Sequence, residues 1–238
     1  MPGDIFGLRT NSSKIYDKQA EDNWPASSNY GYFGGGANPT TVARLDRIDF
    51  SNDTTSYPGN NITQARKFLA AVSSSNYGYF GGGGPPNVCT IDRIDFSSET
   101  VAVPPVGDQL TQATRRLAAV SNSNYGYFAG GNVSGNVTTI NRIDFSSETV
   151  VGPPTHGANL TQARLNLGAV SSPDYGYFAA GNAPPFVNTV DRIDFSNETV
   201  SLPGNNLPDG KSNLAAVSGG RSVNARIRKS TDKNGKSI

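Results

Sequence analysis

The sequence predicts an all-β protein built from four similar units, and three recurring patterns predict it. The tetrapeptide Tyr-Gly-Tyr-Phe recurs in steps of 47, 48 and 50 residues, beginning at Tyr30, Tyr77, Tyr125 and Tyr175. The tetrapeptide Arg-Ile-Asp-Phe follows in register, beginning at Arg47, Arg93, Arg142 and Arg192. A Leu-Ala-Ala-Val segment or a close variant begins at Leu69, Leu117, Leu167 and Leu214. Repetition of all three patterns in one phase indicates an internal structural repeat.

Each unit divides into four short apolar segments separated by turn residues. In the second unit these segments are Leu69–Ser73, Tyr77–Gly81, Thr90–Phe96 and Thr100–Pro104. Their length and their β-branched and aromatic content are typical of strands, and none has room for an ordinary helix. Four antiparallel strands in about 48 residues make one blade of a β-propeller, so the sequence predicts four blades.

The repeat divides the chain into three parts. Residues 1–23 form an N-terminal extension, residues 24–220 form the propeller, and residues 221–238 form a basic tail. The repeats within the propeller cover residues 24–68, 69–116, 117–166 and 167–213. The two flanking segments are the expected contacts with partner proteins, because a closed and nearly neutral propeller has no exposed edge for assembly.

The first unit lacks a good first strand. Asp22–Pro25 stands where a Leu-Ala-Ala-Val segment is expected, and a proline cannot donate a hydrogen bond within a sheet. At the other end, Leu214–Val217 has the pattern of a first strand with no second strand after it. We therefore expect Leu214–Val217 to pair with Tyr30–Phe33 and to close the first blade.

Composition argues against several classes of function. The net charge is +1 and only 16% of residues are charged, which disfavours electrostatic binding of nucleic acid or of a membrane surface. No apolar run approaches the ~20 residues that span a bilayer, so we expect no membrane insertion. The N-terminus lacks the apolar core of a signal peptide, so we expect no secretion by that route.

The sequence contains few residues suited to catalysis or metal binding. The single cysteine, Cys89, forms neither an intrachain disulfide nor a cysteine-based zinc site. The single histidine, His156, falls in a loop between units, and a nucleophile triad or a metal site needs further partners. The glycine runs lack the following Lys-Ser/Thr and helix of a phosphate-binding loop. We therefore expect no catalytic residues, no metal and no cofactor.

The repeat resembles the kelch repeat of β-propellers over about residues 24–218. A kelch second strand ends in a double glycine, which is present in Tyr32–Gly36, Tyr79–Gly84 and Tyr127–Gly131, whereas Phe178–Gly181 departs from it. A kelch unit also has a tryptophan six residues after an aspartate. Smaller residues replace it here, namely Thr55, Val101, Val150 and Val200. The resemblance therefore implies a divergent kelch-like propeller.

The wording of the repeat also resembles repeats in structural and tail-associated proteins of marine cyanobacterial viruses (cyanophages). This resemblance implies a virion protein, made in the host cytoplasm, that mediates assembly with other virion proteins and attaches to a glycan or protein of the host surface. A second hypothesis is a free intracellular propeller that binds a glycan or a protein. A third is a hydrolase or lyase on a propeller scaffold, for which no convergent acid and base are visible.

An Arg-x-Asp pair recurs in every unit. Residues i and i+2 of a strand share one face, so the two charges of each pair lie together. The pairs either line a ligand channel or tie neighbouring blades together, and their uniformity favours the structural role. The pairs are Arg47 with Asp49, Arg93 with Asp95, Arg142 with Asp144, and Arg192 with Asp194.

The two ends of the blades differ in variability. The loop face carries the loops from the second to the third strand and from the fourth strand to the next blade, and these loops vary in sequence. The turn face carries the other two sets of loops, which are nearly uniform. Because recognition concentrates in loops on a rigid scaffold, the loop face holds our candidate ligand-binding residues. They are Tyr57, Asn87, Asp108, Asn132, Asn136, His156 and Phe186.

Overall fold

The computed structural model of the chain describes residues 29–104, 109–152 and 158–218. These residues form strands, turns and loops, and no helix is present among them. The prediction of an all-β fold is therefore confirmed. The N-terminal extension, residues 22–25 and the basic tail lie outside the described residues, as do the candidates Asp108 and His156.

Fifteen strands occur in the described part of the chain. Blade 1 contains β1 (Tyr30–Gly34), β2 (Leu45–Asp49) and β3 (Thr54–Ser56). Blade 2 contains β4 (Ala70–Ser73), β5 (Tyr77–Gly81), β6 (Ile91–Asp95) and β7 (Val101–Ala102). Blade 3 contains β8 (Ala118–Ser121), β9 (Tyr125–Ala129), β10 (Ile140–Asp144) and β11 (Val150–Val151). Blade 4 contains β12 (Gly168–Ser171), β13 (Tyr175–Ala179), β14 (Val190–Asp194) and β15 (Val200–Ser201).

The strands form four antiparallel sheets in which sequential strands are neighbours. The register repeats, since Tyr77 lies opposite Asp95, Tyr125 opposite Asp144, and Tyr175 opposite Asp194. The innermost strands β4, β8 and β12 contact one another in order. This arrangement of similar sheets, each in contact with the next, is a propeller-like fold.

The hydrophobic core lies between successive blades. One cluster joins blades 1 and 2, a second joins blades 2 and 3, and a third joins blades 3 and 4. Phe128 and Phe178 are almost wholly buried, at 1% and 0% exposure. Burial of a phenylalanine side chain stabilises a fold by about 1.5–3 kcal/mol, so these two phenylalanines stabilise the stacking of successive blades.

Glycine within these strands permits the close approach of the blades. A Cβ atom at Gly126 would lie 2.6 Å from Cγ2 of Val72 in the preceding blade. A Cβ atom at Gly81 would lie 2.7 Å from Cε1 of Phe128 in the following blade. Any larger residue would force the sheets apart, which explains why small residues stand at these positions.

The turns between the third and fourth strands follow one design. In blade 2, Oδ1 of Asp95 accepts hydrogen bonds from the backbone N–H and the hydroxyl of Ser97, at 2.8 and 2.6 Å. Such Asx turns explain the uniform Asp-Phe-Ser sequence. Glu99 then adopts a φ of 56°, which is uncommon for a residue other than glycine. Glu148, Glu198 and Asp53 adopt φ values of 57°, 59° and 55° at the same position, so the turn directs a carboxylate in every blade.

The expected closing strand is not found among the described residues. Leu214–Val217 forms no strand, blade 1 has three strands, and β1 pairs only with β2. The segment instead lies beside blade 4, where the hydroxyl of Ser218 accepts a hydrogen bond from the backbone N–H of Ser171 at 2.9 Å. The absence of a side chain at Gly168 allows this position, because the Leu214 side chain approaches within 3.0 Å of where a Cβ atom would stand.

Candidate functional site

Two of the predicted ligand residues on the loop face are used in contacts between blades. The side-chain amide of Asn87 donates to the carbonyl oxygens of Asn132 and Val133 at 2.9 and 2.8 Å. The amide of Asn136 donates to the carbonyl oxygen of Asn182 at 2.7 Å. The backbone of Asn132 also forms bridges with Arg115 and Asn136. These asparagines link each loop to the loop of the next blade.

Two aromatic candidates remain open to solvent on the loop face. Tyr57 is 44% exposed and Phe186 is 57% exposed. The hydroxyl of Tyr57 donates to the carbonyl of Gly59 at 3.3 Å and lies 3.2 Å from Oδ1 of Asn61, while the Arg44 guanidinium lies over its ring. Tyr57 belongs to the linker after blade 1 and Phe186 to a loop of blade 4. The structure describes no hydrogen bond or ring contact between them.

The repeated arginine and aspartate of each unit have separate partners. Arg93 Nη1 donates to both carboxylate oxygens of Glu148 in the next blade, at 2.9 Å. Arg47 Nη1 likewise donates to both oxygens of Glu99, at 2.8 and 2.9 Å. Arg142 Nη1 donates to Oε1 of Glu198 at 2.7 Å. The aspartates instead accept hydrogen bonds within their own turns. The Arg-x-Asp pattern thus combines a link between blades with a turn.

A tyrosine hydroxyl completes each of these links. Tyr79 donates to Glu148 and Tyr127 donates to Glu198, both at 3.1 Å, and Tyr32 donates to Glu99 at 2.9 Å. We call each set of tyrosine, arginine and glutamate an interblade clamp. Burial, together with the charge of the glutamate, raises the pKa of Tyr79 and Tyr127 far above the ordinary tyrosine range. The tyrosines therefore remain neutral hydrogen-bond donors.

Aromatic stacking accompanies every clamp. The ring pairs are Tyr32 with Phe96, Tyr79 with Phe145, and Tyr127 with Phe195, with centroids 5.3–5.6 Å apart. The clamp arginine of blade 2 also lies over the ring of Tyr77, at 4.5 Å. Burial acts to lower the pKa of Arg93, but its hydrogen bonds to Glu148 and the charge of that residue give a net increase. These contacts keep the clamp arginine charged and favour a structural role for it, as a link between two blades.

Sequence reasoning missed the glutamates of the clamps. They stand in the nearly uniform Ser-Ser-Glu-Thr and Ser-Asn-Glu-Thr turns of the turn face. The recurring signal was an acidic residue in each turn, at Asp53, Glu99, Glu148 and Glu198. A residue that repeats at an unusual backbone conformation indicates a role beyond the turn itself.

A polar groove opens between blades 2 and 3 on the turn face, and we call it the turn-face groove. Its volume is about 300 Å³. Segments 74–77, 123–125 and 144–146 line it, so its walls carry Tyr77 and Tyr125 beside serine and asparagine side chains. The side-chain amide of Asn76 and the hydroxyls of both tyrosines make no hydrogen bond within the described residues. These groups are available to a ligand.

A carboxylate adds to the polar character of the turn-face groove. Burial acts to raise the pKa of Asp144, but hydrogen bonds from Ser146 and Ser147 outweigh it and lower the pKa below its ordinary value. One oxygen, Oδ1, accepts those bonds. At neutral pH the groove therefore presents an ionised acceptor beside neutral amide and hydroxyl groups.

Neither metal chemistry nor a membrane span is indicated within the described ranges. No group of three or more His, Cys, Asp or Glu side chains there is arranged to hold a metal ion. No helix long and apolar enough to cross a membrane occurs in the same residues. Cys89 is a half-buried free thiol whose Sγ lies 2.6 Å from Oε1 of Gln109.

Comparison with known proteins adds no family to these observations. No protein-family model matches the chain, and no curated protein matches its sequence.

Proposed function

We propose that this chain is a non-enzymatic attachment propeller that binds a hydroxyl-rich ligand, a glycan, in the turn-face groove. The observation that carries the proposal is the groove itself, with two tyrosines, two asparagines and an ionised aspartate on a scaffold held by clamps. Its volume of about 300 Å³ lies at the lower end of the range for small-molecule sites. This size suits one or two sugar rings.

The chemistry of the groove matches that of a sugar. Sugar hydroxyls both donate and accept hydrogen bonds, and asparagine amides, tyrosine hydroxyls and a carboxylate offer both functions. Tyrosine rings supply apolar surface for the C–H groups of a pyranose ring while keeping a polar end in water. A similar order of residue types recurs at the next blade, with Asn124, Tyr125, Tyr175 and Asp194, except that Asp174 stands in place of the second asparagine. Repetition of weak sites would raise avidity toward a polymeric glycan.

The biological setting that we propose is a virion, and this part depends on sequence resemblance. The kelch-like pattern and the wording of the repeat support a structural or tail-associated protein of a cyanobacterial virus. In that setting residues 1–23 and 221–238 join other virion proteins, and the turn face is directed to the host surface. The alternative is a free intracellular module that binds a glycan or a protein through the same scaffold.

Binding of purified cell-surface polysaccharides and of a glycan array tests the ligand class. We expect the double variant Asn76→Ala with Asn124→Ala to weaken binding about tenfold, as expected for the loss of one or two hydrogen bonds. The matched control is Phe186→Ala on the loop face, which should bind as the unmodified chain does. Loss of binding in Phe186→Ala alone would move the site to the loop face. Absence of binding to every glycan would overturn the proposal.

Assembly state tests the setting separately from the ligand. Recovery of the chain in purified virus particles would support the virion, and truncation of residues 1–23 and 221–238 should then abolish incorporation. Recovery only as a solitary monomer in cell lysate would favour the intracellular module.

A further inference from the structure

A second pocket lies at the centre of the loop face, and we call it the axial pocket. Its volume is about 290 Å³. The last residue of each of four linkers lines it together with the leucine that follows, and three of these leucines directly precede the innermost strands β4, β8 and β12. The linker-end residues are Phe68, Arg116, Asn166 and Asn213, and the leucines are Leu69, Leu117, Leu167 and Leu214.

Backbone hydrogen bonds join the four linker ends into a continuous rim. The N–H of Arg116 donates to the carbonyl of Phe68 at 2.8 Å, and the N–H of Asn166 donates to the carbonyl of Arg116 at 2.9 Å. The N–H of Asn213 donates to the carbonyl of Asn166 at 3.0 Å. All four residues adopt a left-handed backbone, with φ between 55° and 62°. This conformation is costly for a phenylalanine or an arginine, and such residues concentrate at sites that hold ligands.

The side chains on this rim differ from one linker to the next, and two of them have unused donors. The guanidinium of Arg116 makes no hydrogen bond or ion pair within the described residues, although its Nε is buried. The side-chain amide of Asn166 has no hydrogen-bond partner in the same ranges. The amide of Asn213 donates once, to the hydroxyl of Ser212 at 3.2 Å, and keeps a second N–H. These groups do not join one loop to another, in contrast to the amide of Asn87.

The lining of the axial pocket combines positive charge with apolar surface. The guanidinium carbon of Arg116 lies 4.8 Å from the ring centroid of Phe68, and Nζ of Lys67 lies 5.1 Å from the same centroid. Phe68 remains 39% exposed. None of the eight described lining residues is acidic, so no protein carboxylate in the lining neutralises the guanidinium.

We propose that the axial pocket binds a small organic acid, in which a carboxylate is joined to a compact apolar body. The planar guanidinium of Arg116 matches a carboxylate with two parallel hydrogen bonds, and the amides of Asn166 and Asn213 donate to the same group. The apolar body lies against the Phe68 ring and the leucines. The volume is at the lower end of the range for small-molecule sites, which limits the body to a single ring or a short chain. A phosphate dianion would need a second cation in the lining, and Lys67 lies outside it.

Titration with benzoate, followed by amide chemical shifts in NMR spectra, tests the site. We expect saturable shifts at the rim residues Phe68, Arg116, Asn166 and Asn213. Benzamide has the same shape without the charge, so it should bind at least about tenfold more weakly. Absence of saturable shifts at the rim, or equal binding of benzamide, would overturn the proposal. Tighter binding of inorganic phosphate than of benzoate would overturn the assignment to an organic acid.

Two arginine variants separate the pocket from the general charge of the surface. Arg116→Gln should weaken benzoate binding at least about tenfold, whereas Arg115→Gln should weaken it less than about twofold. Arg115→Gln is the matched control, because it removes the same charge from the neighbouring residue, which does not line the pocket. Equal losses in the two variants would show a non-specific attraction of anions and would contradict the proposal.

Asn166→Asp gives a second variant whose fold is easier to preserve. Aspartate is close to asparagine in size and tolerates the left-handed backbone, but its charge repels a carboxylate. Benzoate binding should be lost while the circular dichroism spectrum stays unchanged. Retained binding in Asn166→Asp would overturn the placement of the carboxylate beside the amide.

The axial pocket and the turn-face groove share no lining residue, so the two proposed sites can fail separately. The double variant Asn76→Ala with Asn124→Ala should bind benzoate as the unmodified chain does, and Arg116→Gln should leave glycan binding unchanged. Loss of benzoate binding in the double variant would place benzoate in the turn-face groove and overturn the axial site.

Discussion

Blades 2 and 4 differ from blade 3 in one buried charge pair, although the three sheets share their strands and register. In blade 2, Arg66 Nη2 lies 2.6 Å from Oδ2 of Asp92, and in blade 4, Arg164 Nη2 lies 2.6 Å from Oδ2 of Asp191. All four side chains are at most 1% exposed. Blade 3 carries Thr114 and Asn141 at the corresponding positions. Blade 3 therefore lacks both the cation and the anion of the pair.

Blade 3, which lacks the charge pair, retains the hydrogen bonds between its third strand and the backbone of the incoming linker. Oδ1 of Asn141 accepts bonds from the backbone N–H and the hydroxyl of Thr111, at 2.9 and 2.8 Å. In the charged blades, Oδ1 of Asp191 accepts a bond from the backbone N–H of Thr161 at 3.1 Å. The third strand thus holds the incoming linker in every blade. A buried ion pair is one way to do so, and a neutral amide is another, as expected where desolvation offsets most of the Coulomb attraction.

The largest effect that we expect is the loss of one partner of a buried pair. Asp191→Ala leaves the Arg164 guanidinium buried without its carboxylate and should lower the free energy of unfolding by about 3–5 kcal/mol. Asn141→Ala in blade 3 removes only hydrogen bonds and should cost about 1–2 kcal/mol. Urea unfolding followed by circular dichroism measures both. Equal losses in the two blades would contradict the distinction between a charged and a neutral site.

Replacing both charged residues with apolar ones distinguishes the effect of the charges from the effect of the volume that the two side chains fill. Arg164→Met with Asp191→Leu should be at least about 2 kcal/mol more stable than Asp191→Ala, because no buried charge remains unpaired.

Introducing the charge pair into blade 3 tests whether that blade can accommodate it. Asn141→Asp alone buries a carboxylate with no cation beside it and should destabilise the fold by about 3 kcal/mol at neutral pH. Burial raises the folded-state pKa of such a group, so the penalty should vanish as the pH falls below its unfolded pKa of about 4. Adding Thr114→Arg should recover most of the stability at neutral pH. A double variant no more stable than Asn141→Asp would show that the blade 3 linker has no room for a guanidinium.

A smaller effect is expected at the interblade clamps, which are alike on both sides of blade 3. Tyr79→Phe and Tyr127→Phe should each cost about 1 kcal/mol, because each removes one hydrogen bond to a glutamate that keeps its arginine. The two values should agree, since both hydroxyls lie 3.1 Å from their acceptors. Tyr57→Phe, at an exposed tyrosine, is the control and should change the free energy of unfolding little. A much larger loss for one clamp would indicate that the clamps are not equivalent.

The smallest effect is that of pH on the Asx turns, which are common to all blades. Hydrogen bonds from the following serine lower the pKa of Asp49, Asp95 and Asp194 below the ordinary value. A lowered folded-state pKa means stability that is present above the unfolded pKa, about 4, and is lost as the pH falls through the folded value. Acid titration of thermal stability should show this loss, and Asp95→Asn should reduce it. Unchanged acid sensitivity in Asp95→Asn would assign the effect to other carboxylates.

The strands were predictable from the sequence because their signal is local and repeated four times. The alternation in Tyr-Gly-Tyr-Phe and the turn residues on either side mark β1, β5, β9 and β13 without any knowledge of contacts. The partner of Arg93 was not predictable in the same way. The period of a strand places Asp95 on the same face, whereas Glu148 lies 55 residues away and reaches Arg93 only through the stacking of blades.

On the loop face, too, the sequence alone does not reveal the contacts between blades. Asn87 and Asn136 vary between repeats, which predicts ligand residues, and their side-chain amides bind carbonyl oxygens of the next loop. Variation in a loop does not distinguish recognition of a ligand from the fitting of one loop to another. The residues of the turn-face groove are nearly uniform between repeats, so a search for variable loops does not find the groove.

The direction of the clamps has a consequence for the order of events during synthesis. Each arginine precedes its glutamate by 52, 55 or 56 residues. At translation rates of about 5–20 residues per second, roughly 3–11 s pass before the partner is made. A nascent blade therefore leaves the ribosome with its tyrosine and arginine uncovered, and the next blade covers them while exposing its own. A chaperone that follows this chain would meet the same short-lived aromatic and basic patch once per blade.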